Sequence, residues 1–232
     1  MKPLATTHFW RPHPAPAPSI RWLWSVATAL LGLAGCAGAP PAPQTDAPKP
    51  PVHELPIDVD QRDGNCHIRL VGPLDDFTVR SLRFVMTQLD QTACRSKRVL
   101  LAPEGGLIGS AITVGAIIKN RGYDTQVQPG TTCLTPCLLV FAAGRQRIML
   151  PSVPPTRIGF SQIPPDADFG RQVCETELAP SQALTLTRYL RAMLPVSTAT
   201  AVLKKLTAAT CDRTEYLGPD EAMALGLATS MK

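Results

Sequence analysis

The period of the apolar residues changes along this chain. Cys66-His67-Ile68-Arg69-Leu70-Val71-Gly72 alternates apolar and polar positions and stops at Gly72-Pro73, which predicts a strand closed by a turn. Asp75 and Asp76 stand where helix caps belong, ahead of an apolar stripe (Val79, Leu82, Val85, Met86, Leu89) at helical spacing. Val99-Leu100-Leu101-Ala102 is a continuous apolar run, as expected of a strand buried on both faces. It leads through Pro103-Glu104-Gly105-Gly106 into a helix predicted over 107–120. A strand at 125–128, a helix over 136–143 and strands at 147–150 and 157–160 follow. Two further helices are predicted over 181–194 and 197–209, and a short one opens at Pro219-Asp220-Glu221 and closes at Gly226. Residues 163–179, rich in proline and charge, are expected to form a loop. Strands alternating with helices imply parallel crossovers, hence an α/β domain, here with a helical C-terminal part.

The first 56 residues follow neither period. Trp22 to Gly35 is an uncharged apolar run preceded by Arg11 and Arg21, short for a bilayer span and ending in small residues, which reads as a secretory signal. Its end, Leu33-Ala34-Gly35-Cys36, resembles the lipobox of bacterial lipoproteins, and that resemblance implies acylation of Cys36 as the new N-terminus. Ala37 after it favours the outer membrane if the host is Gram-negative. Three parts are therefore expected: a lipoprotein signal peptide (1–35), a proline-rich tether (36–56) and a folded body (57–232). Proline at this density favours extended polyproline conformation, giving a reach of at most about 60 Å.

The formal charge of +5 shrinks once the signal leaves, because Lys2, Arg11 and Arg21 go with it and no acid does. Twenty basic and eighteen acidic residues remain, with no basic run interleaved with aromatics, so nucleic acid is not an expected partner. Setting Cys36 aside leaves Cys66, Cys94, Cys133, Cys137, Cys174 and Cys211, an even number in an exported chain. Three disulfides are expected; of the fifteen connectivities, neighbour order favours 66–94, 133–137 and 174–211. Zinc is the weaker reading, since there is no C-x2-C pair and only His53 and His67 follow the signal. No metal or other cofactor is expected.

The order of motifs from Val99 to Gln162 resembles the Clp protease/crotonase superfamily, and within it a group of exported Clp-protease-like bacterial proteins. There an apolar strand leads to S-x-G-G, a helix ends in G-L-x-T, C-x-S-A-C-x-x-x-F-x-A-G-x-x-R carries the nucleophile elbow, and a later strand ends in G-x-H. This chain has Leu100-Leu101-Ala102-Pro103-Glu104-Gly105-Gly106, Arg121-Gly122-Tyr123-Asp124-Thr125, and Cys133-Leu134-Thr135-Pro136-Cys137 through Phe141, Gly144 and Arg147. Its tail, Glu221-Ala222 with Leu225-Gly226-Leu227-Ala228, is similar to the superfamily's closing E-A-x-x-x-G-L-A. The resemblance implies a spiral of ββα units, a nucleophile at a helix N-terminus, self-association into trimers or rings, and an oxyanion site offered by Gly105 and Gly106.

The departures from that pattern set the functional expectation. Thr135 stands at the nucleophile serine, Pro136 at the following alanine and Ser161 at the base histidine. A threonine still needs a base to take its proton, and a serine hydroxyl is not one at neutral pH. Thr135-Pro136 also reads as plain helix chemistry, an N-cap followed by proline at the first helical position. Weaker candidates for a base are His67 in the first strand and Glu104 beside the glycine turn, with Asp166 and Asp168 as orienting acids. The Cys133–Cys137 pair reads as a clasp around the elbow rather than a redox pair, because C-x3-C is not the thioredoxin spacing. The expectation is a membrane-anchored, periplasm-facing, catalytically degenerate domain that binds an envelope protein or peptide or assembles there. The alternative is a weak peptidase or acyl hydrolase using Thr135.

Overall fold

In the first sheet every core strand runs the same way, and only its outermost member is reversed. The structure, a computed structural model, describes residues 57–161, 178–210 and 213–232, all within one compact unit, Val52–Lys232. The strands are β1 (Ile57–Arg62), β2 (Asn65–Leu74), β3 (Ser96–Gly106), β4 (Asp124–Val127) and β6 (Arg147–Met149), in the order β1-β2-β3-β4-β6. β2, β3, β4 and β6 are parallel neighbours, and β1 joins β2 antiparallel through a turn at Asp63-Gly64. A smaller sheet holds β5 (Thr132–Cys133), β7 (Arg157–Phe160) and β8 (Glu215–Leu217), in the order β5-β7-β8.

Helices α1 (Asp76–Leu89), α2 (Ile108–Asn120) and α3 (Thr135–Ala142) are the crossovers, followed by α4 (Pro180–Met193), α5 (Val196–Ala208) and α6 (Pro219–Ala224). Asp75 caps α1 through Oδ1, which accepts from the Thr78 N–H at 2.8 Å, and Val79, Leu82, Met86 and Leu89 are buried as the stripe predicts. Ile68, Leu70, Val99, Leu101 and Val127 lie in register on the sheet face turned to these helices, all fully buried. Every residue of α3 is buried, so this short helix is the centre of the core rather than a surface element.

The sequence pattern misses β1, β5 and β8. β1 is an edge strand exposed beyond Ile57, and two- or three-residue strands carry too little alternation to register. The expected loop over 163–179 falls almost wholly outside the described residues. Cys66–Cys94 and Cys133–Cys137 are bonded, while Cys174 and Cys211 lie outside the described residues. The first disulfide ties β2 to the segment between α1 and β3, and both bonds fit an oxidising, exported compartment. No helix among the described residues is long and apolar enough to cross a membrane.

The elbow motif and the closing tail meet at Arg147. Its buried guanidinium donates to the carbonyls of Leu227 (2.7 Å), Gly226 (3.2 Å) and Gly144 (3.3 Å). Burial lowers its pKa from the ordinary arginine value. The tail continues beside β6, where the Met149 N–H donates to the Ser230 carbonyl at 3.0 Å. The arginine of G-x-x-R thus holds down the G-L-A tail.

Candidate active site

Thr135 and Ser161, the residues expected at the nucleophile and base positions, come together. Thr135 begins α3 one residue after β5 ends at Cys133, and Ser161 directly follows β7, which pairs with β5 through Ile158 and Cys133. Thr135 Oγ1 donates to the Ser161 carbonyl at 2.5 Å, Ser161 Oγ donates to Thr135 Oγ1 at 3.0 Å, and the Thr135 N–H points to Ser161 Oγ at 3.4 Å. Each hydroxyl proton is committed to the other residue. Thr135 is fully buried, while Leu134 before it is 37% exposed.

Thr135 does not cap the helix, which corrects the expectation from sequence. The first helical bond, Leu138 N–H to the Leu134 carbonyl at 2.8 Å, makes Leu134 the N-cap and Thr135 the first helical residue. The threonine hydroxyl donates across the β5–β7 junction to the Ser161 carbonyl. Cys133–Cys137 closes over this turn, with both sulfurs' residues buried, as a clasp around Leu134-Thr135-Pro136.

Gly105 and Gly106 end β3 with φ of +113° and +128°, a region closed to residues with a side chain. A Cβ on Gly106 would lie 2.3 Å from the Leu74 backbone nitrogen, so the residue is glycine because β2 passes against it. A Cβ on Gly105 would meet nothing within 4 Å, so that position opens to free space. Among the described residues no hydrogen bond links either glycine to Thr135 or Ser161.

The other candidate bases stand elsewhere. His67 is paired in register with Asp60 and Arg98, and the seven residues from it to Leu74 put it roughly 23 Å along β2 from the glycine turn. Glu104 is exposed on β3, and Asp166 and Asp168 lie outside the described residues. Lys205 approaches the neighbourhood, its Nζ 5.8 Å from the Phe160 ring centroid, but it is engaged by the Glu215 carboxylate. It borders a groove of about 350 Å³ shared with Ala208, Ala209, Arg213, Thr214 and Glu215. Among the described residues no cluster of His, Cys, Asp and Glu could hold a metal ion.

Two contacts supporting the site have no sequence signal of their own. Tyr189 on α4 donates its hydroxyl to the Leu139 carbonyl at 2.7 Å, satisfying a C-terminal carbonyl of α3 in the buried core. Gly159 on β7 lies under Leu134, where a Cβ would fall 2.7 Å from Leu134 Cδ2. The G-x-H pattern marks the glycine but gives no hint of its neighbour.

No protein-family model and no curated protein matches this chain. Solved structures do. A serine-to-alanine mutant of the 1510-N membrane-bound stomatin-specific protease aligns with a TM-score of 0.53 at 17% identity, over 70% of this chain and 76% of that one. A lysine-to-alanine mutant of the same protease, in complex with a substrate peptide, aligns at 0.52 and 16%, over 70% and 72%. The ClpP protease catalytic domain from Plasmodium falciparum aligns at 0.49 and 17%, over 70% and 82%. With the parallel sheet, its crossover helices and the elbow at the start of α3, the chain has the Clp protease/crotonase-like fold.

Proposed function

We propose that this is an exported, lipid-anchored Clp-protease-like domain that has lost hydrolytic chemistry and works in the cell envelope by binding or assembly. The observation that carries the loss is the closed pair of hydroxyls. Thr135 Oγ1 donates to a backbone carbonyl, and its other partner is a serine, so among the described residues no group in contact with it can take its proton at neutral pH. Loss of a triad member leaves roughly 10³–10⁴-fold catalysis over water, far below an ordinary enzyme. Binding is the function that survives such a loss, because the scaffold around the elbow is intact. By fold analogy the ligand is a peptide, the class held by the structurally similar stomatin-specific protease. The groove bordered by Arg213 and by the Lys205–Glu215 ion pair offers a charged wall for one.

Fluorophosphonate labelling tests the chemistry: neither the natural protein nor Thr135→Ala should react. Labelling of the natural protein alone would promote the threonine hydrolase. A cross-linked pull-down from envelope extract tests the binding role, and recovery of the chain with no bound peptide or protein would refute it. The anchor is tested by Cys36→Ser, which should yield an uncleaved or soluble product; processing insensitive to globomycin would overturn it.

A further inference from the structure

α1 has a second face that the core does not use. Phe77 and Phe84 are seven residues apart, two helical turns, and so project from the same side, where they are 47% and 68% exposed. Arg80 and Arg83 are exposed beside them, and Asp76 at the first turn is the helix's one exposed acid. Aromatic rings flanked by arginines, opposite a buried stripe, make an interfacial helix face.

The geometry of the chain's entry says what could cover it. The expected tether ends at Ile57, which stands in register with Leu70, four residues before β2 ends at Leu74 and the chain turns into α1. That separation is roughly 13 Å, so the tether enters the body at the end of the sheet where Phe77 begins the exposed stripe. A second copy of the chain fits the face poorly. The exposed parts of two phenylalanines supply about 200 Å², against about 800 Å² per partner in a stable interface. A two-fold contact of α1 with itself would also set arginines against arginines.

We propose that this face of α1 docks on the anionic lipid surface of the membrane that holds the chain. The proposal rests on the acyl anchor at Cys36. An anchored body meets its membrane at the effective concentration set by a tether reaching at most about 60 Å, so a weak surface suffices.

The chain's three tryptophans, Trp10, Trp22 and Trp24, all precede Cys36, so the processed lipoprotein has none and Phe84→Trp becomes its single tryptophan reporter. The processed lipoprotein carrying Phe84→Trp is reconstituted into phosphatidylethanolamine vesicles containing phosphatidylglycerol, with brominated acyl chains. Blue-shifted emission, quenched by the bromines, is expected. Arg80→Gln and Arg83→Gln should each lower the docked-to-free ratio about fivefold, and zwitterionic phosphatidylcholine vesicles should abolish quenching. The protein should float with the vesicles in every case. Flotation with unquenched, solvent-like emission would overturn the docking and leave the anchor standing. Failure to float would remove the anchor and the docking with it. A blue shift in detergent that grows with protein concentration, without lipid quenching, would assign the face to a second copy and also overturn the proposal.

Discussion

Gly115→Ala reverses the usual rule for helix interiors. In an exposed helix the change gains about 1 kcal/mol, because alanine is the better helix former. Gly115 is instead the point where α2 passes against the Tyr189 hydroxyl. A Cβ there would lie 1.8 Å from Tyr189 Oη, 3.0 Å from Cζ and 3.3 Å from the Ala143 Cβ. The phenol has no room to retreat, since its oxygen is held by the Leu139 carbonyl at 2.7 Å and the residue is buried. Overpacking costs about 1–3 kcal/mol, and breaking the buried hydrogen bond about 1–3 more. Less the gain in propensity, the net destabilisation is about 1–5 kcal/mol. For a body of this size that lowers Tm by roughly 2–4 °C per kcal/mol, a fall on the order of 10 °C in calorimetry. Tyr189→Phe in the same chain removes the clashing oxygen and should recover part of the loss. A Tm that rises in Gly115→Ala, or a double variant no more stable than Gly115→Ala alone, would refute the packing of α2, α3 and α4 described here.

Thr135→Ala should lower Tm through the lost contacts to Ser161, a cost of about 1–3 kcal/mol, with no cap involved; a Tm unchanged from the natural protein would contradict that. Cys66, Cys94, Cys133 and Cys137 should resist alkylation in the folded, unreduced protein, read by intact mass, and reduction should cost about 2–5 kcal/mol at 66–94 and less at the short loop of 133–137. Tyr123 is buried, its hydroxyl has no hydrogen-bond partner among the described residues, and burial followed by the Asp90 charge pushes its pKa up to about 12. The unfolded phenol ionises near 10, so the Tyr123 contribution is whole below about pH 10 and is lost as pH rises towards 12. Tyr123→Phe should hold or raise stability at neutral pH and flatten that alkaline decline in a urea titration series; a steeper decline would contradict the burial.

The parts legible in the sequence are those where one physical signal acts alone. The stripe of α1 with its Asp75 cap, the apolar run of β3 and the order of crossovers all follow from period and capping chemistry. The pairing of 66–94 and 133–137 follows from neighbour order. What sequence leaves out is long-range contact. Nothing local tells that Arg147 will hold the carbonyls of Gly226 and Leu227, or that Gly115 makes room for Tyr189. The same limit explains the wrong cap at Thr135. Threonine before proline is good N-cap chemistry, but where β5 ends beside β7 decides where the helix begins, and that leaves the extended Leu134 at the cap.

The central claim is that the scaffold persists and the chemistry has gone, and restoring the chemistry tests it most directly. The variant combining Thr135→Ser, Pro136→Ala and Ser161→His replaces the closed hydroxyl pair with a nucleophile and a base across the same β5–β7 junction. Fluorophosphonate labelling, followed by mass spectrometry of the residue-135 peptide, reads the result. The account predicts slight labelling at residue 135 in the triple variant and none in the natural protein. Robust hydrolysis of peptides or esters by the natural protein, abolished by Thr135→Ala, would contradict it.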